Sequence, residues 1–527
     1  MNASLDPEVW SVLRLILQVA FFVAVFALLK SMYEVREFTR LRHLAKPTGA
    51  FRVPTILLVL LFLGLLVYQA TWQLTGVFRP EFIAFMQLHD RRAFNPAHWI
   101  QRGRILDRRG EVLAYSEEIL GKVYRIYPDG PAFSPVVGYT QPMFGATGME
   151  AVATVHLNGG TAASLENWSE LGRQLVIQEK RPRGQDLTLT LDADLQRLAV
   201  ERLGERRGAV VLLNPNDGAI RVLASVPSYD PNQITPALFQ GGDPGSPLLN
   251  RATQGLYPPG STFKIALASL ALEQGFTGTL DCPADGFTTS ARYRKIRDHE
   301  YYSARNNGTL WKGSGRLNLT QALAKSSNVF FAQLGVRYGH DAFDAMTDRF
   351  QLNRQIRLHE SPYGVWAMRT GQAPRLDRSD RYGLAQMSIG QGQLLVTPAY
   401  MAVMAGAVAN QGLAMTPRLI EGEPPRPLAR FMSEAVAGKL APMLRKVVTE
   451  GTGRGIDQPT LAIAGKTGTA QNPQGDSHSW FVGFAPAERP ELAVAVLVEQ
   501  GGYGSAVAAP IARDLLLRAR ALGLIRE

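Results

Sequence analysis

The sequence predicts an α+β protein in which one antiparallel sheet is covered by helices, with a small β-rich domain and amino-terminal membrane-spanning helices ahead of it. Three observations predict this. Strand-like runs open and close the segment 193–527, with helical stretches between them. Residues 100–192 mix short alternating runs (122–128, 186–192) with turn signals. The first 72 residues hold two long apolar stretches.

Residues 53–72 run 20 residues without a charge, matching the roughly 20 residues that cross about 30 Å of hydrocarbon. They are read as a transmembrane helix. Residues 10–29 are equally long but interrupted by Arg14 and Gln18. They are read as a further span, with an interfacial helix as the alternative. The tail 1–9 carries Asp6 and Glu8 rather than the positive charge of a signal peptide. The loop 30–52 holds Lys30, Arg36, Arg40, Arg42, Lys46 and Arg52 against two acidic residues, whereas Arg79 is the one basic residue in 73–87. That asymmetry puts the loop in the cytoplasm. The juxtamembrane segment 73–99 and all that follows then lie outside.

The chain has 527 residues, room for two or three domains at roughly 150 residues each. Its 56 basic and 45 acidic side chains leave a net charge of +11, which suits anionic surfaces such as membrane lipid. No run of five basic residues and no nucleic-acid motif occurs, so no nucleic-acid partner is expected. The single Cys282 cannot form an internal disulfide and reads as a small buried hydrophobe. The eight histidines lack ligand spacing, so no metal and no cofactor is expected.

The region 100–192 is read as a pedestal domain and 193–527 as the catalytic one. A helix begins near Ala193, and residues 208–213 and 219–225 form a hairpin around Asn214–Pro215–Asn216–Asp217–Gly218. Near the end, strands are expected at 461–471, 479–486 and 491–499, then a helix over 505–522.

Three short motifs carry the chemistry. In Tyr257–Pro258–Pro259–Gly260–Ser261–Thr262–Phe263–Lys264, Pro and Gly break the preceding chain and an apolar helix follows to Gly275. Ser261 then sits in a first helical turn with Lys264 on the same face. A neutral, desolvated lysine there can take the serine proton. Taken alone, S-x-x-K is more often a capping serine beside a solvated lysine. Ser326–Ser327–Asn328 follows a helical stretch, and an irregular turn can aim Ser326 and Asn328 into one cleft; a plain turn explains it equally well. In Lys466–Thr467–Gly468–Thr469, strand alternation puts Lys466 and Gly468 on one face and both threonines on the other. Gly468 admits close approach, though an ordinary edge strand reads the same way. The motifs are separated by 65 and 140 residues, and S-x-x-K, S-D-N and K-T-G in that order form a recognised acyl-transfer set, which this chain matches except at the centre of the second motif.

On these residues the chain resembles the class B penicillin-binding proteins, monofunctional transpeptidases of the cell wall. The segment Arg102–Gly110, the residues Gly148–Met149–Glu150, the runs 189–196 and 225–232, Gln391–Gly392 and Thr397–Pro398 are also similar to family segments. The short pedestal is similar to that of the smaller, actinobacterial-type members. Two amino-terminal stretches instead of one, and S-S-N instead of S-D-N, are departures. The resemblance implies a penicillin-binding/serine β-lactamase-like fold and a peptidoglycan D,D-transpeptidase. It makes Ser261 the nucleophile, Lys264 its base and Ser326 a proton relay. Asn328 would hold the donor peptide. Lys466 with Thr467, Gly468 and Thr469 would form the carboxylate-binding strand, and the N–H groups of Ser261 and Thr469 the oxyanion hole. β-Lactams are the implied inhibitors. A glycosyltransferase of the shape, elongation, division and sporulation (SEDS) family is the implied partner, since 73–99 has no room for a glycan-polymerising domain. Repulsion from Lys466 together with burial is expected to keep Lys264 neutral. Membrane-bound β-lactam hydrolysis and β-lactam sensing are the rival readings, and the pedestal-like segment argues against both.

Overall fold

The computed structural model describes residues 30, 33, 56, 58–70, 101–119, 122–141, 143–159, 183–240, 245–361, 364–472 and 475–526. The chain divides into two units, 1–82 and 83–527. In the first, residues 58–70 are helical and turn apolar side chains outward, Leu58 and Leu61 exposing 69% and 65% of their surface. Among the described residues no helix is long and apolar enough to cross a membrane. The expected span 10–29 lies outside the described residues, as do 53–55, 57, 71 and 72 of the other.

The second unit opens with strands β1 (Ile105–Leu106), β2 (Val112–Ile119) and β3 (Lys122–Ile126), helices α1 (Gly130–Val137) and α2 (Gly148–Val152), and strand β4 (Leu187–Thr188). The strands form one sheet in the order β3-β2-β1-β4. Beside the strands expected of a β-rich pedestal, short helices, α1 and α2 among them, also pack. α1 escapes a pattern search because prolines interrupt it, yet Pro131 sits at its start, where proline is tolerated. Phe133, Val136 and Val137 of α1 bury against the core that holds Met149 of α2.

Ion pairs lock the pedestal. Glu150 is fully buried and accepts from Arg102 Nε at 3.1 Å and Nη2 at 2.8 Å, and from Arg125 Nε at 2.6 Å. Burial alone would raise the Glu150 carboxyl; the two guanidiniums together hold it below the ordinary carboxylate range. Asp107 accepts from the N–H groups of Arg109 and Glu111 at 2.8 Å and of Ala193 at 3.1 Å. That last bond ties the pedestal to helix α3 (Ala193–Leu203), which Asp192 caps through Leu195 N–H.

After α3 come strands β5 (Gly208–Leu213) and β6 (Ile220–Val226), then helices α4 (Lys264–Glu273), α5 (Leu319–Lys325), α6 (Asn328–Arg349), α7 (Pro398–Ala409) and α8 (Glu434–Thr449). Strands β7 (Ala464–Asn472), β8 (Gly475–Ala485) and β9 (Leu492–Val498) and helix α9 (Ala508–Ala521) close the chain. The main sheet runs β7-β8-β9-β5-β6, antiparallel throughout, so it draws strands from both ends of the unit and leaves β7 at an edge.

Period-two alternation sorts its side chains. Val210, Leu212, Val222, Val494 and Val496 join Leu195, Ala199, Ala512 and Leu515 of α3 and α9 in one core. Ala209, Val211, Ala493, Ala495 and Leu497 face the other way, into the core that α4 to α8 share. Both faces of the sheet are covered, which is why its strands read as unbroken apolar runs.

Glu150→Gln would leave two buried guanidiniums without a counter-charge. It should cost roughly 3–5 kcal/mol of stability, read by urea unfolding at pH 7. Because the Glu150 carboxyl is held low, its contribution is present above the ordinary carboxylate range and lost as pH falls through its depressed value. The difference between wild type and variant should therefore shrink in acid.

Candidate active site

Ser261 lies in a 3₁₀ turn, Gly260–Phe263, that feeds directly into α4 at Lys264. Gly260 takes φ +53°, which a glycine adopts without penalty. The turn is wedged between two other segments. Gly260 N–H donates to Gly390 O at 2.8 Å. A Cβ on Gly390 would stand 1.9 Å from Gly260 O, and one on Gly260 would stand 2.8 Å from Thr469 O. On β7, a Cβ on Gly468 would meet Thr262 Cγ2 at 2.8 Å. Backbone-to-backbone approach thus brings the serine turn, the strand with Lys466 and the turn after Ser388 together.

Lys264 is fully buried. Its Nζ lies 3.0 Å from Ser261 Oγ, 2.6 Å from Ser326 O, 2.7 Å from Asn328 Oδ1 and 3.4 Å from Ser326 Oγ. Burial pushes its ammonium down to about 7, against the opposing pull of Asp298 and Glu300. Of the two expected causes, burial and repulsion from Lys466, burial is the larger. Burial is the leading cause at Lys264, and the repulsion between the two amines is mutual; burial first and Lys264 second hold Lys466 well below the usual lysine range.

Ser326 ends α5 in a left-handed conformation (φ 61°, ψ 33°), and Asn328 begins α6. Both therefore reach the same amine, while Ser327 between them turns away to cap α6 through Phe330 N–H at 3.1 Å. Lys466 Nζ donates to Thr467 O at 3.0 Å. Thr467 Oγ1 is 2.6 Å from Thr452 Oγ1, and Thr469 Oγ1 accepts from Gly504 N–H at 3.4 Å.

Every residue singled out in the three motifs is in this neighbourhood. Sequence reasoning missed Thr452, Gly390 and Gly504, which touch the site only through the fold. Trp480 is fully buried and donates Nε1–H to Pro258 O at 3.0 Å, bracing the approach to Ser261. Cys282 is buried as expected. Within the basic and aromatic stretch 292–305, Asp298 is 3% exposed. Polarity of composition cannot reveal a carboxylate buried by its hydrogen-bond partners.

The model of the penicillin-binding protein transpeptidase domain matches residues 208–517. The chain belongs to the penicillin-binding protein transpeptidases. The pedestal matches a second model, the penicillin-binding protein A dimerisation domain, over 102–186, and the pair makes the chain a class B member. The chain is similar to peptidoglycan D,D-transpeptidase PbpA of Mycolicibacterium smegmatis, 32% identical over 458 residues, covering 80% of this chain and 89% of that one. It is also similar to peptidoglycan D,D-transpeptidase MrdA of Acinetobacter baumannii, 30% identical over 448 residues, with 73% and 64% covered. Among solved structures, the ceftriaxone acyl-enzyme complex of penicillin-binding protein A from M. tuberculosis superposes with a TM-score of 0.69 at 31% identity, covering 80% of this chain and 98% of that one.

Gly390→Ala would drive a methyl into the Gly260 carbonyl at a residue with φ +77°. The displaced serine turn should lose roughly tenfold to a hundredfold in penicillin acylation rate, measured by intact mass against time, with a circular dichroism spectrum matching wild type.

Proposed function

We propose that the chain is a peptidoglycan D,D-transpeptidase that cross-links stem peptides through an ester on Ser261 and is acylated there by β-lactams. The observation that carries this reading is the buried Lys264 amine, 3.0 Å from Ser261 Oγ and held from behind by Ser326 O and Asn328 Oδ1. A neutral amine has two N–H bonds and one lone pair. Giving the N–H bonds to the two oxygen acceptors leaves the lone pair for the Ser261 proton.

In the first half-reaction Ser261 Oγ attacks the carbonyl before the terminal D-alanine while Lys264 Nζ takes the hydroxyl proton. The N–H groups of Ser261 and Thr469 receive the developing oxyanion, each such donor being worth roughly 2.7–4 kcal/mol. As the peptide C–N bond breaks, the proton passes through Ser326 Oγ to the departing amine. A second stem peptide's amine then attacks the ester and restores Ser261. Asn328 orients the donor peptide. Lys466, with Gly468 and the Thr467 and Thr469 hydroxyls of the edge strand, receives its terminal carboxylate.

The site works outside the cytoplasm from a membrane anchor. The uncharged run 53–72, the basic loop before it and the outward apolar side chains of helix 58–70 support that placement. A SEDS-family glycosyltransferase is the partner that supplies glycan, contacted through the membrane helix and pedestal; co-purification from solubilised membranes tests it.

Penicillin should add one drug mass to the wild-type chain and none to Ser261→Ala. The acylation rate should fall as pH drops through about 7, because the Lys264 lone pair is then lost. A rate flat from pH 6 to 9, or wild-type acylation by Lys264→Arg, would remove Lys264 as the base.

A further inference from the structure

Between the serine turn and the middle motif lies a buried carboxylate that the acyl-transfer scheme does not use. Asp298 is 3% exposed and stands just before a short helix, His299–Asn306. Ser327 Oγ–H reaches both of its oxygens at 3.0 Å, Val329 N–H donates to Oδ1 at 3.0 Å, and Ser314 Oγ lies 3.4 Å from Oδ2. The residue before it acts on the same turn, because Asn328 Nδ2 donates to Arg297 O at 3.1 Å. Two consecutive residues of one loop therefore hold three consecutive residues of another.

What they hold needs holding. Ser326 adopts a left-handed backbone (φ 61°), which is costly for a non-glycine residue and persists only when its surroundings enforce it. The Arg297 carbonyl can only accept, so it takes the Asn328 NH₂ group and turns Oδ1 toward Lys264, 2.7 Å away. We propose that Asp298 is a positioning residue for acyl transfer, its carboxylate fixing the 326–328 turn so that Ser326 and Asn328 both face the Lys264 amine. The inference rests on the reading of Lys264 as the base.

A neutral scaffold could supply the same hydrogen bonds, so charge separates this role from a purely structural one. The charged groups acting on Lys264 are Asp298 and Glu300, which favour its ammonium, and Lys466, which disfavours it; the Phe331 ring lies 5.7 Å from Nζ. The Cys282 thiol, 3.7 Å from Ser327 Oγ, is pushed up to about 11, chiefly by burial and in part by Asp298. It stays neutral and contributes no charge below that range.

The test is the pH profile of penicillin acylation in the full chain, followed by intact mass, for wild type, Asp298→Asn and Asp298→Ala. Asparagine keeps a shape-matched acceptor and removes the charge. Its acid limb should move down by roughly half a pH unit to one unit, with a severalfold lower plateau. Alanine removes the clamp, and its plateau should fall at least roughly tenfold. Should Asp298→Ala fail to fold, Asp298→Asn still decides. An Asp298→Asn profile whose acid limb coincides with that of wild type overturns the proposal, whatever its plateau. Wild-type protein that penicillin does not acylate would overturn the acyl-transfer reading itself, and this inference with it.

Discussion

The structure of the site depends on one desolvated amine. Lys264 is fully buried at the start of α4, where water cannot reach it, and its environment sets its charge. An ordinary lysine is protonated at neutral pH and cannot accept a proton. Burial brings this one to about 7, while the Asp298 and Glu300 charges keep it from falling further. The balance leaves it able to take a proton and to give one back, as an acyl transfer with two half-reactions requires.

Such an amine is costly unless its N–H bonds are satisfied, and this explains the middle motif. Ser326 O and Asn328 Oδ1 accept from Nζ, and they can do so only because α5 ends in a left-handed serine that breaks the helical path. The loop 297–298 holds that break from outside. The segment 292–305, which composition alone marks as solvent-facing, is thus a structural member of the site.

Glycines assemble the remaining wall. The approach of Gly260 to both Gly390 and Thr469 leaves no room for a β-carbon at either glycine, so the serine turn is seated against two distant pieces of chain. Behind it, the five-stranded sheet provides rigidity, with β7 at its edge. The pedestal joins through Asp107 and the start of α3, so its ion-paired core is continuous with the catalytic unit.

Local pattern determined much of this protein. Apolar runs bounded by turns mark β5 to β9, helical spacing puts Ser261 and Lys264 on one face, and the order of three motifs points to acyl transfer. Those features are legible because each is fixed by neighbours within a few residues. The helices of the pedestal were not legible, because α1 is short, carries prolines and is stabilised by partners elsewhere in the chain. Tertiary structure alone decided the burial of Lys264, the left-handed Ser326, the clamp at Asp298 and the roles of Thr452 and Gly390. Each arises from contact between segments from about 15 to 130 residues apart, a range over which sequence periodicity carries no information.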